Sequence, residues 1–184
     1  MNFKCILHFY LFIVVCVCVF LPQDLSAKLF SKQLVKDIQV NGLQYLESED
    51  ILDVGDLSSK VGHVLNLNYM QDDVDQLFLT GYFSSVRSRY QKTNKGILLY
   101  YDVNEYPKVE RIQFKGRSVF SYGHLESLIK NKRRNVLNVQ DIEFDINALE
   151  SFYKSKGYGL FHVKHADIVS PNILEFQLEE GRIG

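Results

Sequence analysis

The chain has 184 residues, 21 Lys and Arg against 22 Asp and Glu, and three cysteines. A net charge of -1 argues against bulk attraction to nucleic acid or to an anionic membrane, partners that select an excess of positive charge. At 46% hydrophobic and 23% charged residues, the composition argues against disorder along the whole chain and allows one domain or two small ones.

All three cysteines, Cys5, Cys16 and Cys18, fall at the start of the chain. Lys4 precedes an apolar run from Cys5 to Leu21, and Leu25-Ser26-Ala27 follows it. A basic start, an apolar centre and a small-residue exit form the layout of a secretory signal peptide over residues 1–27, with cleavage after Ala27. The run exceeds the usual signal core of ~7–15 residues and reaches the lower limit of a membrane-spanning helix, so an uncleaved anchor is the alternative. Removal of the leader leaves an exported chain without cysteine, held together by its core alone.

The remainder repeats. Ile38-Gln39-Val40-Asn41-Gly42 returns as Ile112-Gln113-Phe114-Lys115-Gly116, Gly81-Tyr82 as Gly157-Tyr158, and Val103-Asn104-Glu105 as Leu178-Glu179-Glu180. Leu67-Asn68 is matched with Leu137-Asn138, at a shorter offset than the others. Two units of about 75 residues account for nearly everything after the leader.

Each unit starts with an alternating strand, in which Val35, Asp37 and Gln39 oppose Lys36, Ile38 and Val40 in the first copy. In the second, the apolar positions are Val109, Ile112 and Phe114. Gly42 and Gly116 end these strands, where the chain must turn. Short helices are expected over Ser48 to Leu57 and Tyr122 to Asn131, with Ser48 and Ser121 as N-caps. A longer helix follows in each. Met70, Val74, Leu77 and Phe78 form the apolar stripe of the first, and Ile142, Ile146, Leu149 and Tyr153 that of the second. Asn68-x-x-Gln71 reads as a capping box, and Gly81 and Gly157 as helix C-termini. Two strands close each unit. They are Phe83 to Tyr90 and Ile97 to Val103 around Asn94-Lys95-Gly96, then Phe161 to Val169 and Ile173 to Leu178 around Pro171-Asn172. Leu174, Phe176 and Leu178 alternate with Glu175, Gln177 and Glu179, which predicts one buried and one wet face.

The order is therefore β-α-α-β-β twice over, an α+β fold with a three-stranded sheet and two helices on one face in each unit. This order, with Ile38 to Gly42, Asn68 to Val86, Ile112 to Gly116 and Leu149 to Tyr158, resembles the POTRA domains of BamA-type outer-membrane assembly factors and their organellar relatives. The units then run over 35–106 and 107–181. The resemblance implies a module at the periplasm or organelle outer envelope that handles unfolded outer-membrane precursors and assembly-complex subunits. It also implies that the second strand of each unit lies at an open sheet edge. An edge can accept an extended peptide through main-chain hydrogen bonds. Phe83, Val86, Ser88, Tyr90, Phe161, Val163 and His165 are the expected contact residues.

Proteins of that family end in a barrel, and this chain stops at Gly184. A fragment, a split gene product and a stand-alone protein stay open. So do two other roles: a docking scaffold that binds no client, and a signal-anchored pair of units.

Enzyme chemistry is not expected. No phosphate loop, dinucleotide fingerprint or nucleophile elbow is present, and no cofactor or nucleic acid is implied. His162 and His165 point to opposite faces of a strand, which argues against a shared metal. Asp72-Asp73-x-Asp75 lacks the glycine and closing glutamate of a calcium loop and reads as acid at a helix start. Lys130-Asn131-Lys132-Arg133-Arg134 reads as a solvated run complementing a helix C-terminus, with membrane headgroups as the alternative contact. The many Tyr and Phe suit strands, and exposed ones offer a ledge for peptides.

Overall fold

A computed structural model describes residues 33–170 and 172–181. Residues 1–32, which include the expected leader and all three cysteines, Pro171 and the last three residues lie outside that description. The first unit contains β1 (Val35–Asn41), α1 (Ser48–Val54), α2 (Leu67–Leu79), β2 (Phe83–Thr93) and β3 (Gly96–Glu105). The second contains β4 (Arg111–Lys115), α3 (Tyr122–Leu128), α4 (Gln140–Ser155), β5 (His162–Ser170) and β6 (Ile173–Glu179). The sheets have the orders β1-β3-β2 and β4-β6-β5. In each, the last strand is central, parallel to the first and antiparallel to the second. This is the expected β-α-α-β-β order in both copies.

Each unit closes its own core. Leu99, Tyr101 and Val103 of β3 meet Val35, Ile51, Met70, Leu77 and Phe83. Leu174, Phe176 and Leu178 of β6 meet Ile112, Leu125, Leu149, Tyr153 and Phe161. Val35 and Ile38 have opposite parity along β1, yet both pack inward. The β1–β3 register shifts between Val35 and Asp37, and this irregularity turns the strand so that both can face the core. Val109 and Ile112 repeat the pattern. Phe78 departs from the expected stripe and is half exposed at 49%. Glu175, expected on a wet face, is 4% exposed, and the Lys115 ammonium 2.8 Å away neutralises it.

The recurring motifs touch one another. Gly42 and Gly116 adopt φ of +97° and +83°. A β-carbon on either would lie 2.1 Å from the Val103 carbonyl oxygen or 2.3 Å from that of Leu178. Two residues beyond those carbonyls, Glu105 and Glu180 hold the loop that leaves the glycine. The Glu105 carboxylate accepts from the amides of Gln44, Tyr45 and Leu46 at 3.0, 3.0 and 3.1 Å. Glu180 accepts from the Ser118 amide at 2.9 Å and from the Tyr153 hydroxyl at 2.6 Å. Burial alone would raise the Glu180 pKa, but the hydrogen bonds from Ser118 and Tyr153 outweigh it and hold the carboxyl below its usual range. The Tyr153 phenol is pushed up by burial and by this same carboxylate.

Helix boundaries differ from the sequence expectation for one reason in both units. Asp73 and Asp145 are fully buried. Asp73 accepts from the amides of Ser58 and Ser59 and from the Tyr101 hydroxyl. Asp145 accepts from the amides of Lys130 and Asn131 and from the Asn131 side chain. These carboxylates draw the chain after α1 and α3 out of helical geometry, so the helices end at Val54 and Leu128. Asp73 thus serves the core, and its oxygens are taken by protein donors.

The caps also differ. Ser121 accepts from the His124 amide at 3.3 Å, as expected. Ser48 is the first helical residue, Glu47 precedes it, and no side chain caps α1. Asn66, rather than Asn68, caps α2 by accepting from the Asn68 amide at 2.9 Å. Asn138 likewise accepts from the amide two residues on, that of Gln140 at 2.9 Å, although the N-cap of α4 is Val139. The repeat therefore aligns Leu65-Asn66 with Leu137-Asn138, which corrects the match to Leu67-Asn68. α4 ends in a Schellman arrangement, with the Tyr158 amide donating to Tyr153 and the Gly157 amide to Lys154.

Candidate functional site

A three-stranded sheet has two outer strands, and their open sides decide where another chain can pair. The outer side of β1 is partly occupied by its own chain. Val35 donates to His63 and accepts from Gly62, and Leu65 donates to Gln33. Leu34 and Val64 form an isolated bridge there. The second unit repeats this. Val109 donates to Asn135 and accepts from Arg134, and Lys108 bridges Val136. β2 and β5 have no such strand partner on their outer sides among the described residues.

The two edges differ in quality. β2 is 11 residues long, and its register with β3 shifts only between Phe83 and Ser85. From Ser85 to Thr93 the ladder runs unbroken. β5 shifts register twice, between Val163 and His165 and between Ile168 and Ser170. Glu150 of α4 also accepts from the Val163 amide at 3.1 Å, which removes one donor near the start of the strand. Register shifts and capped amides blunt an edge as a template. The Lys154 hydrogen bond holds Glu150 below the ordinary carboxylate range.

The expected contact residues divide accordingly. Phe83 and Phe161 are each 1% exposed and belong to the cores. The Phe161 ring stacks on Tyr153 at 3.7 Å, and Phe161 lies before β5 rather than in it. Burial of the aromatic ring outweighs any role at the edge for these two side chains. Val86 and Val163 are half-buried against their cores. Ser88 is half-buried, whereas Tyr90 and His165 are exposed. The outer half of β2 is rich in cations, with Arg87, Arg89 and Lys92 all exposed. Arg89 donates to Asp102 at 2.6 Å and lies 4.1 Å over the Tyr100 ring. Asp102 is held below its usual pKa by this guanidinium and by Asn41.

No group of three or more His, Cys, Asp or Glu is placed to hold a metal among the described residues. His162 is 3.1 Å from Glu179. No described helix is long and apolar enough to cross a membrane, which says nothing of a β-barrel. Tyr101 of β3 is fully buried, and burial together with its bond to Asp73 pushes its phenol up. The run at 130–134 does complement a helix C-terminus, because the Lys132 ammonium donates to the Glu126 carbonyl at the end of α3.

Comparison with known proteins gives a consistent picture. The family model for POTRA, described as a surface antigen variable number repeat, matches residues 33–106 and 107–181. The outer membrane protein assembly factor BamA of Nitratidesulfovibrio vulgaris is 23% identical over 145 residues, covering 79% of this chain and 18% of that protein. The chain thus spans less than one fifth of the length of that curated relative. The N-terminal domain of Omp85 from Thermosynechococcus elongatus superposes with a TM-score of 0.68 at 23% identity, over 80% of this chain and 63% of that one. The first three POTRA domains of Omp85 from Anabaena superpose with a TM-score of 0.59 at 23% identity, over 80% and 61%.

Proposed function

Because the chain belongs to the POTRA family, whose model covers both of its units, we propose that it serves outer-membrane protein assembly by receiving extended segments of unfolded precursors on its sheet edges. β2 is the principal receiving edge, and β5 is the weaker one. The single observation that carries this reading is the unbroken ladder from Ser85 to Thr93, with no strand of the protein's own on its far side. A relative named as an outer membrane protein assembly factor supports the setting. The export-signal reading of residues 1–27 supports a setting in the periplasm or the equivalent space of an organelle.

Energetics favour a transient grip. Each main-chain hydrogen bond returns about 1 kcal/mol net, while fixing each client residue costs about 1–2 kcal/mol. Pairing alone is therefore neutral at best, and side chains beside the edge, such as Val86 and Tyr90, must supply the surplus. A module that hands clients on needs such weak, sequence-tolerant binding. Bulges and the Glu150 cap on β5 favour a second role for the other unit, as a docking scaffold for folded partners.

A photo-crosslinker at Ser88, at Lys164 or at Glu126 on the helical side tests the reading. Unfolded outer-membrane precursors label Ser88 most, Lys164 less and Glu126 least. Equal labelling at Ser88 and Glu126 refutes strand addition.

A further inference from the structure

The two units meet in a cleft that strand addition does not use. The Asn138 side chain donates to the Thr80 carbonyl at 3.0 Å, and the Val139 amide donates to the Gly81 carbonyl at 2.9 Å. These bonds join the end of α2 to the start of α4. Beside them lies a cleft of about 380 Å³ whose lining includes Tyr45, Lys108, Lys130, Lys132, Arg134 and Asp141.

Its charge is one-sided. Asp141 is already engaged by the Lys130 ammonium at 3.0 Å. Lys108 lies 4.6 Å over the Tyr45 ring, and Lys132 donates to a neutral carbonyl. Arg134 is exposed, and its guanidinium has no hydrogen bond or ion pair among the described residues. Of the carboxylates near Arg134, Glu126 is paired with Arg133 at 2.8 Å, whereas Glu110, on the far side of Arg134 from the cleft lining, accepts from the neutral Asn172 amide at 3.1 Å and keeps its charge. Lys108, Lys132 and Arg134 therefore share a concave site whose lining carboxylate, Asp141, is paired with Lys130, in a chain whose overall charge is -1. A cleft of one sign, walled by protein, focuses its field on an incoming anion.

Arg134 is also a costly residue at its position. It adopts φ of +72°. The first unit has Gly62 at the equivalent place, with φ of +85°. The two amides make the same bond, Gly62 to Val35 at 2.8 Å and Arg134 to Val109 at 2.7 Å. Glycine satisfies this backbone without strain, whereas a long side chain there is disfavoured. A residue that breaks a local rule and makes no compensating contact marks a site under another constraint.

We propose that the cleft between the units binds an acidic peptide segment of a partner protein, with Arg134, Lys108 and Lys132 pairing its carboxylates and Tyr45 packing against its apolar portion. A concave cleft walled by both units admits a chain, whereas a flat bilayer surface meets a convex or planar patch. This site goes beyond the edge-pairing function, and its test is independent of β2.

The test uses the full chain and a fluorescein-labelled hexaglutamate peptide, with anisotropy read at low and at physiological salt. Saturable binding weakens with salt, about 3-fold on Arg134→Gly and about 10-fold on the double change Lys108→Ala with Arg134→Gly. Lys95→Ala, in the distant β2–β3 turn, leaves it unchanged. Arg134→Lys retains most of it. Arg134→Gly does not lower the melting temperature, so lost binding is not lost folding. Binding that is absent, or indifferent to both Arg134→Gly and the double change, overturns the proposal. Variant-dependent binding to phosphatidylglycerol vesicles with none to hexaglutamate also overturns it, in favour of a membrane surface.

Discussion

Replacing Asp145 with Asn should harm the protein more than the same change at Asp73, although both carboxylates are fully buried at equivalent places. Asp73 faces two amides and the hydroxyl of Tyr101. The Ser59 amide is shared between Oδ1 at 3.3 Å and Oδ2 at 3.2 Å. In Asp73→Asn an amide oxygen at the Oδ1 position therefore keeps Ser58 and Ser59, and the NH2 at the Oδ2 position donates to the Tyr101 oxygen once that hydroxyl turns away. The loss is then mainly of charge assistance, about 1 kcal/mol. Asp145 faces only donors, the amides of Lys130 and Asn131 and the Asn131 side-chain NH2. That side chain cannot flip, because it donates to the Asn138 carbonyl at 3.1 Å and accepts from the Asn138 amide at 2.9 Å. In Asp145→Asn an NH2 must therefore confront an N–H, leaving at least one buried donor unpaired, at a cost of about 1–3 kcal/mol. Burial raises the Asp145 pKa, so removing its charge returns part of that cost. The net expectation is about 2 kcal/mol, roughly twice the effect at Asp73. Urea unfolding at pH 7, with amide exchange reporting each unit, measures both. Equal losses, or a larger loss at Asp73, refute the donor count.

Other expectations concern the turns, the junction and acid. Gly42→Ala and Gly116→Ala drive a β-carbon into a carbonyl and strain a positive φ, and each should cost about 2 kcal/mol or more by chemical denaturation of its own unit. Gly81→Ala places its β-carbon 2.1 Å from the Asn138 side-chain oxygen, whereas Gly157→Ala meets nothing within 4 Å. Gly81→Ala should therefore loosen the units relative to one another in small-angle scattering, and Gly157→Ala should not. Glu180 is held below its usual pKa in the folded chain. Its contribution is present above the unfolded carboxyl pKa of about 4.3 and is lost as pH falls through the folded value. Glu180→Gln should thus destabilise at pH 7, with the gap to wild type closing at acid pH in thermal melts.

The order of elements was legible because its causes are local. Alternation marks β3 and β6, 3.6-residue spacing marks α2 and α4, and glycines stand where φ is positive. Even the recurrence of Glu105 as Glu180 was visible, though its purpose was not. A carboxylate that holds a loop more than 50 residues away leaves no periodic trace. Asp73 reads as a helix-start acid because an acidic residue in a first turn has a cheap explanation, and Asp145 draws no reading from its neighbours at all. The overlooked signal is their spacing, three residues after Met70 and Ile142, which puts both in the apolar stripe. The Leu-Asn match slipped by two residues because Leu65-Asn66-Leu67-Asn68 offers the pair twice, and only the cap geometry decides. Strand position alone puts Phe83 and Phe161 at the client edge, but a large ring at a strand start is drawn into the core. Arg134 could not be weighed from the sequence, since its cost lies in a backbone angle.

Amide hydrogen exchange of the full chain, with and without an extended peptide taken from a strand of an outer-membrane barrel, tests strand addition most directly. Along an edge strand, alternate amides point away from the sheet and await a partner. Added peptide should slow exchange at alternate residues between Ser85 and Thr93, with smaller changes in β5 and none in α1 or α2. Protection confined to the helical faces, or absent from β2 while the peptide is bound, would contradict the account.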